Sequence, residues 1–215
     1  MKAVIFDMDG VIIDSEPMHT AVVLEVLSSY EVILTPADLD RFAGMTMHSV
    51  NSALKAEYAI QAPLDEIIAR EIEGMIHHTM EDPQQPIDGI PEILTYLKKN
   101  HIPAAIASSS PKELVTAVVR RLGLDDYFKF LLSGENVTQS KPHPEIYLQA
   151  AVRLNISPAD CLVIEDSKNG TIAAKEAGMT CIGFQNLNSG LQDLSRADII
   201  VDTLTAIDLS QFQLI

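Results

Sequence analysis

Six short apolar runs, separated by longer stretches of helical periodicity, constrain this chain more than any other feature. They cover residues 3–6, 103–107, 130–133, 161–164, 180–184 and 199–201. Runs this short and this continuously apolar suit strands buried on both faces, as in a parallel sheet covered by helices. Helical patterns fall between them at 91–100, 113–122, 145–154 and 170–177, with Gly123 and Gly178 where two of them should stop. The alternation predicts an α/β fold with a Rossmann-like parallel sheet.

One interval breaks the rhythm. Residues 7–102 separate the first two runs, far more than the roughly 30 that a βαβ unit requires. Within it, residues 15–84 carry no strand pattern and read as helices at 19–29, 48–58 and 64–80, with Pro83, Pro86 and Gly89 marking the exit. The expected organisation is an α/β core domain of residues 1–14 and 85–215 with an inserted α-helical domain at 15–84. Over residues 15–85, 12 acids face 3 bases.

Charge and cysteine content exclude several classes. The 215 residues hold 30 acids and 15 bases, a formal charge of −15. No nucleic-acid partner is expected, because neutralising phosphates takes a basic face. Apolar residues never run long enough to span a membrane, and Asp7 comes too early for a signal peptide. Cys161 and Cys181 match no paired metal spacing and read as small buried thiols. The expectation is a soluble cytoplasmic protein, a monomer by default.

Ligands of an open parallel sheet bind beyond the carboxyl ends of its strands, and four of those ends carry polar groups. Asp7-Met8-Asp9-Gly10 follows the first run. Alone it reads as an acidic turn, since two carboxylates sharing one volume are costly without a cation or a reaction. Ser108-Ser109-Ser110-Pro111 offers hydroxyls and backbone N–H groups at a helix start, which suits an anion cradle or simple capping. Lys141 precedes a proline-initiated helix, where a lone lysine is ordinarily solvated. Glu165-Asp166 closes another run, where the helix dipole alone favours acids. Their coincidence points to phosphoryl transfer: Asp7, Asp166 and Glu165 as hard-oxygen ligands for Mg²⁺, with Ser108 and Lys141 holding a phosphoryl group.

In chain order these segments resemble the four motifs of the haloacid dehalogenase superfamily. The helical insert resembles the cap of its subgroup of β-phosphoglucomutases and small sugar-phosphate phosphatases. The resemblance implies that Asp7 is a nucleophile forming an aspartyl-phosphate, and that Asp9 is the acid/base that also offers its backbone carbonyl to the metal. It implies phosphate binding by Ser108, Ser109 and Lys141, and Mg²⁺ binding by Asp7, Asp9 and Asp166 with Glu165 as a direct or supporting ligand. Asp14, Ser15 and Glu16 stand where the chain enters the cap. Glu16, His19, Thr46 and Met47 are its substrate-side candidates.

Two chemistries share this constellation. In the mutases the cap loop resembles Gly-Val-Ser-Arg, whereas here it reads Gly44-Met45-Thr46-Met47, with Met47 at the arginine's place. The expected activity is Mg²⁺-dependent hydrolysis of a small phosphorylated metabolite, a sugar or polyol phosphate, with a phosphosugar mutase as the alternative. A non-catalytic scaffold is a third reading, disfavoured because Asp7, Asp9, Lys141 and Asp166 are all present. Met45, Met47, Met75 and Met80 are expected to fill the core of the cap.

Overall fold

The computed structural model describes residues 1–42 and 45–212, so Gly44 of the cap loop lies outside the described residues. The apolar runs form six strands: β1 (Ala3–Phe6), β2 (Ala104–Ala107), β3 (Phe128–Leu132), β4 (Cys161–Glu165), β5 (Thr180–Phe184) and β6 (Ile199–Val201). They make one parallel sheet in the order β3-β2-β1-β4-β5-β6. Successive side chains of a strand point to opposite faces. Accordingly Val4, Phe6, Leu162 and Ile164 join one apolar cluster, while Ala3, Ile5, Cys161 and Val163 join another. The strand order reverses between β1 and β4, which opens a crevice at their carboxyl ends.

β3 begins earlier than its apolar run, because it is an edge strand and can expose Lys129. The helices are α1 (Glu16–Ser28), α2 (Pro36–Leu39), α3 (Met47–Glu57), α4 (Leu64–Glu81), α5 (Ile90–Lys99), α6 (Lys112–Arg121), α7 (Glu145–Leu154) and α8 (Lys168–Glu176). The first four lie between β1 and β2, forming the helical cap inserted in the α/β fold. α2 is one turn, too short for a periodic signal. Asp38 closes it by accepting the backbone N–H of Thr35 at 2.7 Å.

The cap helices pack through Val22, Val26 and Leu27 of α1, Leu54 of α3, and Ile67 and Met75 of α4, all in the same cluster as Phe6. Each such side chain contributes about 1.5–3 kcal/mol on burial. The expected methionine core is only partly realised: Met75 is buried and Met47 half-buried, whereas Met45 and Met80 are exposed.

One polar pair interrupts this apolar interior. Asn51 of α3 donates its Nδ2 to Glu71 Oε2 at 2.7 Å and to the Met47 carbonyl at 3.1 Å. Asn51 Oδ1 and Glu71 Oε1 have no partner among the described residues. Burial pushes the Glu71 carboxyl from 4.5 up to about 7, against the Asn51 hydrogen bond. Between those values the folded chain keeps a proton that the unfolded chain releases, so stability falls as pH rises, by about 3 kcal/mol over the window. Glu71→Gln should remove that part of the slope. Urea unfolding of both proteins at about pH 5 and about pH 8 tests this, and parallel losses in the two would contradict it.

Candidate active site

The turn after β1 is built by apolar anchoring. Met8, Val11, Ile12 and Ile13 are buried, and the Met8 carbonyl accepts from the backbone N–H groups of Val11, Ile12 and Ile13 at 3.2, 2.8 and 3.2 Å. Asp7 N donates to the Ile164 carbonyl at 3.0 Å, extending the β1–β4 ladder by one residue. Gly10 is required twice over. Its φ is +75°, in the left-handed region, and a Cβ there would stand 1.9 Å from Asp166 Oδ2. Asp7 and Asp9 are thereby held at the crevice.

Lys141 lies at the centre of the site rather than in solvent. Its Nζ donates to Asp7 Oδ1 at 2.7 Å, Glu165 Oε1 at 2.7 Å and the Ala107 carbonyl at 2.9 Å. Burial opposes its charge, but Asp7 and Glu165 outweigh that and push its pKa above the ordinary lysine value. For Asp7, burial dominates. It raises the carboxyl from 3.8 to about 7 with help from the charges of Glu165 and Asp9, despite Lys141. Burial also disfavours ionised Glu165, yet Lys141, Tyr147 and Ser167 outweigh it and hold this carboxyl below its usual value.

Glu165 is saturated with donors. Oε1 accepts from Lys141 and, at 2.7 Å, from the Tyr147 hydroxyl. Oε2 accepts from Asp166 N and Ser167 N at 3.1 Å each and from Ser167 Oγ at 2.9 Å. Helix α8 passes so close that a Cβ at Gly170 would lie 1.7 Å from Glu165 Oε1, which explains a glycine inside a helix despite a propensity cost of about 1 kcal/mol.

Hydroxyls surround Asp9. Oδ1 accepts from Ser15 Oγ at 2.7 Å, and Oδ2 from Ser110 Oγ at 2.6 Å and Ser108 Oγ at 3.4 Å. Ser15 precedes α1 but makes no side-chain cap there; its hydroxyl serves Asp9 instead. His19 Nε2 is buried without a hydrogen bond among the described residues, 3.7 Å from Asp9 Oδ1. Expected beside Ser108 in a phosphate cradle, Ser109 is exposed and its side chain makes no hydrogen bond among the described residues. Ser110 occupies the inward position.

Asp7, Glu165 and Asp166 each bring a carboxylate oxygen within 4.8 Å of the others. Glu165 is close enough to a cation but has no lone pair to spare. Asp7 Oδ2 and Asp166 Oδ1 carry no hydrogen bond among the described residues. Three buried carboxylates against one lysine leave excess negative charge, and hard oxygen donors of this kind fit Mg²⁺.

The cap candidates divide: His19 reaches Asp9 and Glu16 feels the charges of His19, Asp9 and Asp14, whereas Thr46 and Met47 stand apart from the site. Glu16 is exposed at the start of α1. Thr46 is exposed and caps α3, with its Oγ1 accepting from Ser49 N at 3.2 Å. Met47 packs half-buried against the large apolar cluster. Neither Thr46 nor Met47 bonds to the carboxylates. Tyr147, Ser189 and the asparagines of the loop after β5 carry no motif signal, whereas Ser110 belongs to the serine segment after β2. Among the former, Tyr147 alone shows a trace, as a hydroxyl on the apolar face of a helix.

Residues 4–184 match the family described as haloacid dehalogenase-like hydrolase. The chain is 35% identical over 192 residues to the phosphorylated carbohydrates phosphatase of Thermotoga maritima, covering 88% of each. It is 31% identical over 210 residues to the β-phosphoglucomutase of Bacillus subtilis, covering 94% of this chain and 89% of that one. In fold it resembles CbbY from Rhodobacter sphaeroides, crystallised with phosphate, with a TM-score of 0.87 over 96% of each chain at 23% identity.

Proposed function

The chain belongs to the haloacid dehalogenase-like hydrolases, and on that premise we propose that it is a phosphatase hydrolysing a small sugar or polyol phosphate through an aspartyl-phosphate on Asp7, with Mg²⁺. The coarser class, a sugar-phosphate phosphatase or phosphomutase, follows from the relatives. The observation that carries the finer reading is Lys141 Nζ bridging Asp7 and Glu165 at 2.7 Å while Asp7 Oδ2 remains open to a phosphoryl group.

Asp7 Oδ2 attacks phosphorus as the bond to the leaving oxygen breaks, and Asp9 gives that oxygen its proton. Water then attacks the aspartyl-phosphate and yields its proton to Asp9, releasing phosphate and restoring Asp7. Lys141 balances the charge of Asp7 and of the transferring group. Ser108 lies beside Asp9, where its hydroxyl can turn to a phosphoryl oxygen. Asp7 and Asp166, with the Asp9 carbonyl, would hold Mg²⁺, whose charge offsets that of the phosphoryl oxygens and favours ionised Asp7. Glu165 anchors Lys141 rather than ligating the cation. Residues 15–84 act as the cap that closes over the substrate.

Hydrolysis is favoured over mutase chemistry by the cap's cations. A mutase grips a second phosphate, but Arg41 pairs with Glu57 at 2.7 Å, and Arg70 with Glu66 at 3.1 Å. Lys55 donates to the carbonyls of Ile60 and Ala62 at 2.6 and 2.7 Å. Each is spent within the cap. Phosphate release from a panel of hexose, pentose and polyol monophosphates, run beside conversion of β-glucose 1-phosphate to glucose 6-phosphate, tests the proposal. Release that stops with EDTA and returns with Mg²⁺ is expected. Isomerisation without release would assign the mutase instead.

A further inference from the structure

The loop that follows β5 carries no motif, yet three of its side chains reach three parts of the site. Asn186 Nδ2 donates to the Gly10 carbonyl at 3.0 Å. Asn188 Nδ2 donates to Asp14 Oδ2 at the entrance to α1. Ser189 Oγ donates to Asp166 Oδ2. The loop is itself braced: Asn186 Oδ1 accepts from Asn188 N at 3.0 Å, and Gln192 ties the Ser189 carbonyl at 2.9 Å to the start of α8 through Lys168 N at 3.3 Å.

Asp166 is buried, and its neighbours Asp7 and Glu165 are both carboxylates. Among the described residues no cation pairs with it, since of the three carboxylates Lys141 bonds only to Asp7 and Glu165. Left to itself, such a carboxylate would rotate away from the other two. We propose that Ser189 is a positioning residue for Asp166: its hydroxyl pins Oδ2 against the Gly10 turn, so that Oδ1 stays presented beside Asp7 for a divalent cation. Partners that orient a ligating carboxylate commonly change metal affinity 10- to 100-fold when removed. This rests on the metal-dependent reading above and adds to it a residue outside the four motif segments.

The test is Mg²⁺ binding to the full chain by titration calorimetry, with Mn²⁺ binding by electron paramagnetic resonance alongside. Ser189→Ala should weaken Mg²⁺ at least about 10-fold, and Ser189→Thr, which keeps the hydroxyl, should bind within about twofold of wild type. A brace for the loop alone would lower the melting temperature and leave the affinity unchanged. Wild-type protein that takes up no Mg²⁺ would overturn the metal-dependent reading and this inference together. Wild-type protein that binds Mg²⁺ while Ser189→Ala binds it equally or more tightly would overturn this inference alone, as would equal weakening in Ser189→Thr.

Discussion

Asp7→Asn should hydrolyse sugar phosphates at least about 10⁴-fold more slowly than wild type and yet melt at a higher temperature. The two effects share one cause. A neutral amide cannot form the aspartyl-phosphate, and it also ends the burial of a carboxylate beside Glu165 and Asp9. The folded-state value of about 7 for Asp7, against an ordinary 3.8, means that this group favours folding below the ordinary value. That contribution is lost as pH rises through about 7, a penalty on the order of a few kcal/mol at alkaline pH. The asparagine variant escapes it, so the two melting temperatures should diverge as pH rises and converge toward about pH 4. Calorimetric melts across that range, together with phosphate release, check both halves. Activity above a few per cent of wild type would remove Asp7 as nucleophile. A lower melting temperature at alkaline pH would contradict the electrostatic account.

Lys141→Met should act in the opposite direction on stability. Methionine retains the aliphatic stem packed near the Tyr147 ring, which lies 4.9 Å from Nζ, but leaves Asp7, Glu165 and Asp166 without the positive charge of Lys141. Breaking a buried ion pair in this way costs about 3–5 kcal/mol. Protonation of the carboxylates should relieve most of that loss, so the variant should approach wild-type stability as pH falls toward about 4. Mg²⁺ should also restore part of it. Turnover should be absent even where the fold recovers, because charge on the transferring group is no longer balanced. Denaturant unfolding at several pH values, with and without Mg²⁺, measures the first effect. A destabilisation independent of pH would mean that lost packing, rather than uncompensated charge, is responsible.

These two variants also mark what could be read from residues alone. β1, β4 and β5 were visible because both their faces are buried, which makes the runs continuously apolar. Asp7, Asp9, Lys141 and the Glu165-Asp166 pair were visible because strand ends collect polar residues in an otherwise apolar pattern. Ser110 was not separable from Ser109: the three consecutive serines are chemically identical, and only the path of the chain after β2 decides which hydroxyl meets Asp9. The donor saturation of Glu165 was equally hidden, since Tyr147 reaches it from α7 across 18 residues of chain. The serine and asparagines after β5 sit in a segment without periodicity, where side-chain amides and hydroxyls look like ordinary loop residues. Thr46 and Met47 lie in the stretch that the motifs constrain least.

The contact between Gly170 and Glu165 has a genetic reading. Gly170 has no side chain, takes no part in the chemistry and sits inside a helix that otherwise tolerates alanine, as at Ala173 and Ala174. A missense change at that codon nevertheless drives a new carbon into the carboxylate that holds Lys141. The resulting allele would mimic a lesion in Lys141 itself while altering a position that inspection of the polar side chains alone would pass over as silent.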